Sequence, residues 1–395
     1  MIYLDYASHT PANKEVLAEF SRVELKSVGN ALSAHKPGRT AMEELERATV
    51  GIASLIGVQP NEVIFTSGAS EANNLAVKGI ARAHIHKGKH IISTCLEHPS
   101  ISGALAFLQE SGYEVELVRI QKNGEVDLDH LQSLLRTDTI LLCISAVDSE
   151  LGAVQPLKDI VDLIQGYPNC KLHVDGAQAV GKIKLDGTQV QLCGNKPGSE
   201  MTTRQHRNTG LCSDTFSFSP HKFYGLGGFG VLVKREGLVL EPMIHGGGLS
   251  LYRSGTPSPA MAAACYKAML LSYEHITERF QVVSSHRQYI IDRLKPCYQV
   301  YINSPDNGSP YILNLSVKGI KGTDMQREMD LRDIAVSVKS ACSVAGAPSR
   351  PVLAVTGDKQ RARCSWRLSL SHLTTIQELD AFLAAFNEIA GEQQR

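Results

Sequence analysis

From residue 63 onward the chain alternates between short apolar, β-branched runs and longer segments of helical periodicity, and this rhythm restricts it to few folds. Val63-Ile64-Phe65-Thr66 reads as a strand and runs into Ser67-Gly68-Ala69-Ser70-Glu71-Ala72-Asn73-Asn74, which opens a helix. Strand patterns recur at 90–94, 113–119, 139–145 and 171–174, with helices after Pro99, near 128–135 and after Pro156. An amphipathic helix over 39–56 precedes them. The alternation predicts a mostly parallel sheet covered by helices on both faces, with ligands beyond the C-terminal strand ends. Two polar signals fall at such ends. Glu97-His98 follows the 90–94 strand, and Asp175-Gly176-Ala177-Gln178 follows the 171–174 strand.

The rhythm breaks between 185 and 212, where Gly194-Asn195-Lys196-Pro197-Gly198-Ser199 and a tract through Arg204, His206 and Arg207 predict an exposed excursion. A strand over 230–234, helices across 259–294, strands near 311–317 and 364–370, and a helix from 375 suggest a second domain, for which 395 residues are ample. Forty basic and forty acidic residues cancel, so no field of one sign draws the chain to nucleic acid or anionic membrane. Direct nucleic-acid binding is therefore not expected. The start of the chain, Met1-Ile2-Tyr3-Leu4-Asp5-Tyr6, has no basic and apolar leader, and no apolar run reaches about 18 residues. We expect a soluble, cytoplasmic protein. Nine scattered cysteines fit neither a disulfide framework nor a zinc site and read mostly as small buried hydrophobes.

Ser217-Phe218-Ser219-Pro220-His221-Lys222 ends on a lysine just ahead of Gly225-Leu226-Gly227-Gly228-Phe229-Gly230, a placement that suits an amine forming a Schiff base. The small and hydroxyl residues of 67–74 leave backbone N–H groups at a helix start, which suits a phosphate seat and an ordinary capped helix N-terminus equally. Three other motifs fail. The G-x-G-x-x-G at 225–230 leads into a strand pattern instead of a helix; His245-Gly246-Gly247-Gly248 has no matching G-x-S-x-G serine; and His84, His86 and His90 sit among Lys87 and Lys89 and read as a solvated helix end.

A pyridoxal phosphate site needs a Schiff-base lysine, an acid at the pyridine nitrogen, phosphate donors and an aromatic group on the ring face. All four are present, and at 66–74, 97–98, 174–178, 217–222, 245–248 and 253–256 the chain closely resembles the NifS/IscS-type cysteine desulfurases, of the class V aminotransferases within fold-type I. The resemblance runs in order over nearly the whole chain. It implies a large pyridoxal phosphate domain over 14–258 with a mostly parallel seven-stranded sheet, interrupted in this chain by the excursion near 187–211, which typical members lack. A smaller α+β domain would take 1–13 and 259–395.

It also implies roles. Lys222 would hold the cofactor, Asp175 pair with the pyridinium nitrogen, Gln178 and Ser149 reach the ring hydroxyl, and His98 stack on the ring. Ala69, Ser70, Ser219 and His221 would hold the phosphate, with Thr256 reaching in from the other subunit of a homodimer. Arg367 would fork onto the substrate carboxylate with Asn30 assisting. Cys342, in Lys339-Ser340-Ala341-Cys342-Ser343-Val344-Ala345-Gly346, would take sulfur from L-cysteine as a persulfide, leave L-alanine and pass sulfur to an acceptor protein. Selenocysteine lyase, cysteine sulfinate desulfinase and a catalytically weak scaffold subunit are the alternatives that the resemblance leaves.

The chain departs from the family pattern at Asp148-Ser149-Glu150, where two asparagines usually precede the glutamate. Asp148 would repel the ring hydroxyl's anion, or Ser149 would give it a shorter hydrogen bond. The short tail also leaves the acceptor open among iron-sulfur assembly, tRNA thiolation and DNA phosphorothioation.

Overall fold

The computed structural model describes residues 1–184, 213–294, 299–338 and 347–392; the excursion at 187–211 and Cys342 lie outside the described residues. In chain order the elements are β1 (Ile2–Tyr3), α1 (Lys14–Lys26), α2 (Lys36–Ile56), β2 (Val63–Thr66), α3 (Ala69–Ala83), β3 (His90–Ser93), α4 (Pro99–Glu110) and β4 (Glu114–Leu117). They continue with α5 (Leu128–Leu134), β5 (Thr139–Ser145), α6 (Leu157–Ile164), β6 (Lys171–Asp175), β7 (Thr215–Phe218) and β8 (Gly230–Lys234). Then come α7 (Pro259–Glu274), α8 (Ile276–Leu294), β9 (Val300–Ile302), β10 (Ile312–Val317), α9 (Gly322–Asp330), β11 (Ile334–Ala335), α10 (Arg350–Thr356), α11 (Lys359–Arg363), β12 (Ser365–Ser369) and α12 (Ile376–Glu392).

Seven strands form one sheet in the order β2-β8-β7-β6-β5-β3-β4. Only β8 runs against its neighbours, so the expected parallel sheet is present with one reversed strand. Every residue of β5 is buried, as a central strand covered on both faces requires. One face packs on α3 and α4 through Leu75, Ala76, Ile80, Ile101 and Leu105. Helices α1, α2 and α7 pack on one another in the larger core, where small residues on α7 (Ala260, Ala263, Ala264, Ala268) allow close approach.

The antiparallel sheet β12-β10-β9 and the parallel pair β1-β11 surround a second core, in which Trp366, Phe382 and Phe386 have their ring centroids 6.1–6.2 Å apart. Leu4 belongs to this core, and Phe280 touches both. Burying each such ring contributes about 1.5–3 kcal/mol, so Trp366→Ala would cost about 3–5 kcal/mol.

Two turns bring the sheet's C-terminal edge together. Helix α3 starts at Gly68 with no side-chain cap, and a Cβ on Gly230 would fall 2.4 Å from the Gly68 carbonyl carbon. Glycine at 230 therefore lets the entry to β8 lie against the start of α3. His90 is not on a solvated helix end: it opens β3, fully buried between Thr139 Oγ1 (2.8 Å) and Glu116 Oε2 (2.9 Å). Its strand runs between β4 and β5, and those two neighbours supply both ring partners.

Candidate active site

The residues singled out at the strand ends converge. Asp175 ends β6, and a Gly176–Val180 turn follows; Asp175 Oδ1 accepts from the backbone N–H of Ala177 at 2.9 Å. Lys222 follows β7 in a one-turn 3-10 helix begun by Pro220. Its Nζ donates to the backbone carbonyls of Ala7 (2.8 Å) and Ser8 (2.7 Å). Gln178 Nε2 donates to the same Ala7 carbonyl at 2.9 Å. The N-terminal segment is thus the floor on which the lysine rests.

His98 is the N-cap of α4. Its Nδ1 accepts the backbone N–H of Ser100 at 3.1 Å, and Ser100 Oγ lies 2.8 Å from the same nitrogen. An Nδ1 that accepts leaves the ring proton on Nε2. Burial lowers the pKa of His98, Asp175 raises it and Lys222 lowers it, so these three groups share one electrostatic environment. Neutral imidazole is favoured.

Ser219 Oγ donates to the Phe229 carbonyl (2.7 Å) and therefore accepts from His221 Nδ1 (2.7 Å). Phe229 adjoins Gly230, which abuts Gly68, so Ser219 and His221 lie beside the uncapped start of α3 at Ala69 and Ser70. Burial first, then Lys222, lowers the His221 pKa to about 3. His9 stacks on it with centroids 5.4 Å apart. Unsatisfied helix N–H groups and open space at the Gly68 Cβ direction fit a phosphate, to which Ser219 and His221, whose hydrogens are here spent on Phe229 and on Ser219, would have to turn.

Arg367, in β12, is 1% exposed and reaches the same floor: Nη1 donates to the Ser149 carbonyl (2.7 Å), and Nη2 to Asp5 Oδ1 (2.8 Å) and Ser8 Oγ (2.7 Å). Its Nε is buried with no hydrogen-bond partner among the described residues. Ser149 thus meets Arg367 through its carbonyl. Asp148 is buried; its Oδ2 accepts the backbone N–H groups of Glu150 (3.0 Å) and Leu151. Asn30 and Thr256 stand apart. Asn30 is exposed and accepts the Leu32 N–H at 2.9 Å, while Thr256 lies on an exposed loop that Arg253 ties to Glu71 of α3 at 2.9 Å.

Four participants escaped the sequence reading: Asp5, Asn73, Ser100 and Lys182. Lys182 is buried and donates from Nζ to Gln178 Oε1 at 2.7 Å. Asn73 did leave a signal, a polar residue on the apolar face of α3 between Ala72 and Ala76.

The family model for class V aminotransferases matches residues 2–192 and 200–382. A NifS/IcsS protein homolog of Lactobacillus delbrueckii subsp. bulgaricus is 34% identical, the match covering 98% of this chain and 97% of that protein. Cysteine desulfurase IscS of Dictyoglomus turgidum is 33% identical, covering 98% and 94%. Among solved structures, a NifS-like protein superposes with a TM-score of 0.87 at 29% identity, covering 99% of both chains. This chain belongs to the class V aminotransferase family, whose NifS/IscS members are pyridoxal phosphate enzymes of fold-type I.

Proposed function

We propose that the protein is a cysteine desulfurase that takes sulfur from L-cysteine, releases L-alanine and passes the sulfur to an acceptor protein. One observation carries the reading: Lys222 Nζ rests on the Ser8 carbonyl and Arg367 Nη2 on the Ser8 hydroxyl. An amine suited to Schiff-base chemistry and a guanidinium suited to a carboxylate therefore meet on one residue, as the two ends of an α-amino acid require. The name of the Dictyoglomus relative supplies the reaction.

When bound, pyridoxal phosphate supplies the electron sink for the charge left as a proton leaves the substrate α-carbon. Lys222 would anchor the cofactor, and its Nζ would take that proton. Asp175 would keep a proton on the ring nitrogen, and Gln178 and Ser149 would serve the ring hydroxyl. His98 would cover the ring as the neutral Nε2–H tautomer. Ala69 and Ser70 at the start of α3, with Ser219 and His221, would hold the phosphate. Arg367 binds the substrate carboxylate, with its unpartnered Nε as an available donor and Asn30 assisting from its loop.

Cys342, outside the described residues, attacks the substrate sulfur as thiolate. The new S–S bond forms as the C–S bond breaks with its electron pair left on carbon, which proton uptake then converts to alanine.

The active unit is a homodimer to which Thr256 contributes across the interface. Supporting this, the loop that carries Thr256 exposes Leu249 and Leu251 beside a groove lined by Met42, Phe65 and Tyr252. We assign residues 14–258 to the large domain and 1–13 with 259–395 to the small one. The two separate cores support this, with α7 packing back on the larger core. We place its action in the cytoplasm; among the described residues no helix is long and apolar enough to cross a membrane.

Peptide-resolved mass spectrometry after brief exposure to L-cysteine without reductant tests the reading. One added sulfur atom on Cys342, missing in Lys222→Ala, is the expected result; an unmodified Cys342 in the cofactor-loaded protein would overturn it.

A further inference from the structure

Asn73 lies on α3, has no exposed surface and uses every hydrogen-bonding position of its amide. Nδ2 donates one hydrogen to Asp175 Oδ2 (2.8 Å) and the other to Ser100 Oγ (2.9 Å). Oδ1 accepts from His173 Nε2 (3.1 Å) and from Ser217 Oγ. His173 is itself buried on β6, and its Nδ1 meets Thr215 Oγ1 at 2.9 Å. Burial lowers its pKa to about 4, which leaves a neutral ring able to donate from Nε2.

These partners fix the amide's orientation. A carboxylate only accepts, so nitrogen must face Asp175. Flipping the amide would set its oxygen against Asp175 and its NH2 against the donors from His173 and Ser217. Such a network, with each member satisfied, has one arrangement. The chain of contacts goes further. Ser100 Oγ, having accepted from Asn73, donates its own hydrogen to His98 Nδ1.

We propose that Asn73 is a positioning residue that sets Asp175 and His98 together: one NH2 group orients the Asp175 carboxylate and, through Ser100 Oγ, supplements the Ser100 backbone N–H in holding His98 in the Nε2–H tautomer. The inference rests on the reading above, in which Asp175 and His98 face the cofactor ring. The geometry gives it content beyond packing, because α3 and α4 contact the ends of β6 and β7 through this amide. A shift at one partner is transmitted to the other.

Three measurements on the wild type, Asn73→Ala and Ser100→Ala test it. In cofactor-free protein labelled with 15N-histidine, the ring-nitrogen shifts of His98 are expected to report the Nε2–H tautomer in wild type. Both variants should move them toward a mixture. In protein loaded with pyridoxal phosphate, the pH midpoint of the visible absorbance should shift by about one unit in Asn73→Ala, the worth of one hydrogen bond to an ionised group. Ser100→Ala, which leaves the Asp175 contact intact, should shift it by far less.

Thermal unfolding completes the set. Variants that lose stability but keep both the wild-type histidine shifts and the absorbance midpoint would reduce Asn73 to a structural role and overturn the proposal. An Nδ1–H tautomer in wild type would also overturn it. Absence of any visible band in loaded wild type, or its persistence in Lys222→Ala, would instead overturn the cofactor reading; the histidine shifts of the cofactor-free protein decide the Asn73 proposal in that case too.

Discussion

Arg367 Nη2 lies 2.8 Å from Asp5 Oδ1, an ion pair between the first residues of the chain and the last strand of the small sheet, with the arginine side chain 2% exposed. A guanidinium so deeply buried needs a counter-charge, and removing it leaves an uncompensated ion. Asp5→Ala should therefore lower the stability of the cofactor-free protein by about 3–5 kcal/mol in urea unfolding. Arg367→Lys keeps the charge but loses the fork, so kcat/KM for L-cysteine should fall by roughly a hundredfold, the worth of one or two charged hydrogen bonds. Unchanged stability in Asp5→Ala would mean that another group neutralises Arg367.

Burial first, then Glu150, pushes the carboxyl of Asp148 up to about 7. Glu97 adds to the rise, and Cys95 faces the same acid. Because the folded state holds this proton more tightly than the unfolded chain does, Asp148 is harmless below about pH 3.8. It costs stability increasingly as pH rises to about 7. Asp148→Asn removes that titration. Measured by urea unfolding, the variant should gain about 2–3 kcal/mol relative to wild type between pH 5 and pH 8. A constant difference between the two proteins across that range would show that Asp148 stays ionised.

Glu44 titrates in the opposite sense. It is buried between α1 and α2 and accepts from Arg22 (3.1 Å), Lys26 (2.9 Å) and Arg47 (2.6 Å). Hydrogen bonding from Arg22 first, with help from Lys26 and Arg47, lowers it to about 2. Its contribution is present above the ordinary carboxylate range and lost as pH falls through about 2. The three cations are about half exposed, so solvent screening leaves about 1–2 kcal/mol. Glu44→Gln should lose that amount at pH 7 and approach wild type near pH 2.

Short-range structure was legible where a run of apolar or β-branched residues had firm boundaries. The strands Val63–Thr66, Thr139–Ser145 and Gly230–Lys234 have the limits that their sequence pattern indicates. The strand expected at 113–119 contracts to Glu114–Leu117, because this edge strand pairs only with β3 and β3 offers four partners. In the site, Lys222, Asp175 and His98 stood out because each closes a recognisable string. Asp5, Asn73 and Lys182 did not: nothing near Asp5 in sequence announces a partner 362 residues away, nor near Asn73 one 102 residues away. Lys182 does have a sequence neighbour as partner, Gln178, but a lysine reads as solvated until its burial is known.

Lys182 gives the sharpest separation of stability from function. Burial first, then Lys222 and Arg367, holds its ammonium well below the ordinary lysine range. Folding thus weakens the hold on this proton, which costs stability while the unfolded chain carries it and ceases to cost as pH rises toward the value of a free lysine. Lys182→Met, similar in length and apolar, should stabilise the cofactor-free protein at pH 7, with the gain shrinking toward pH 10. The same variant removes the donor that holds Gln178 Oε1 and so lets the Gln178 amide turn. Affinity for pyridoxal phosphate, read by absorbance titration, should then fall by about tenfold, one hydrogen bond's worth. A variant more stable at pH 7 but unchanged in cofactor affinity would place Gln178 away from the ring. A variant less stable at pH 7 would show that the ammonium is charged and compensated where it lies.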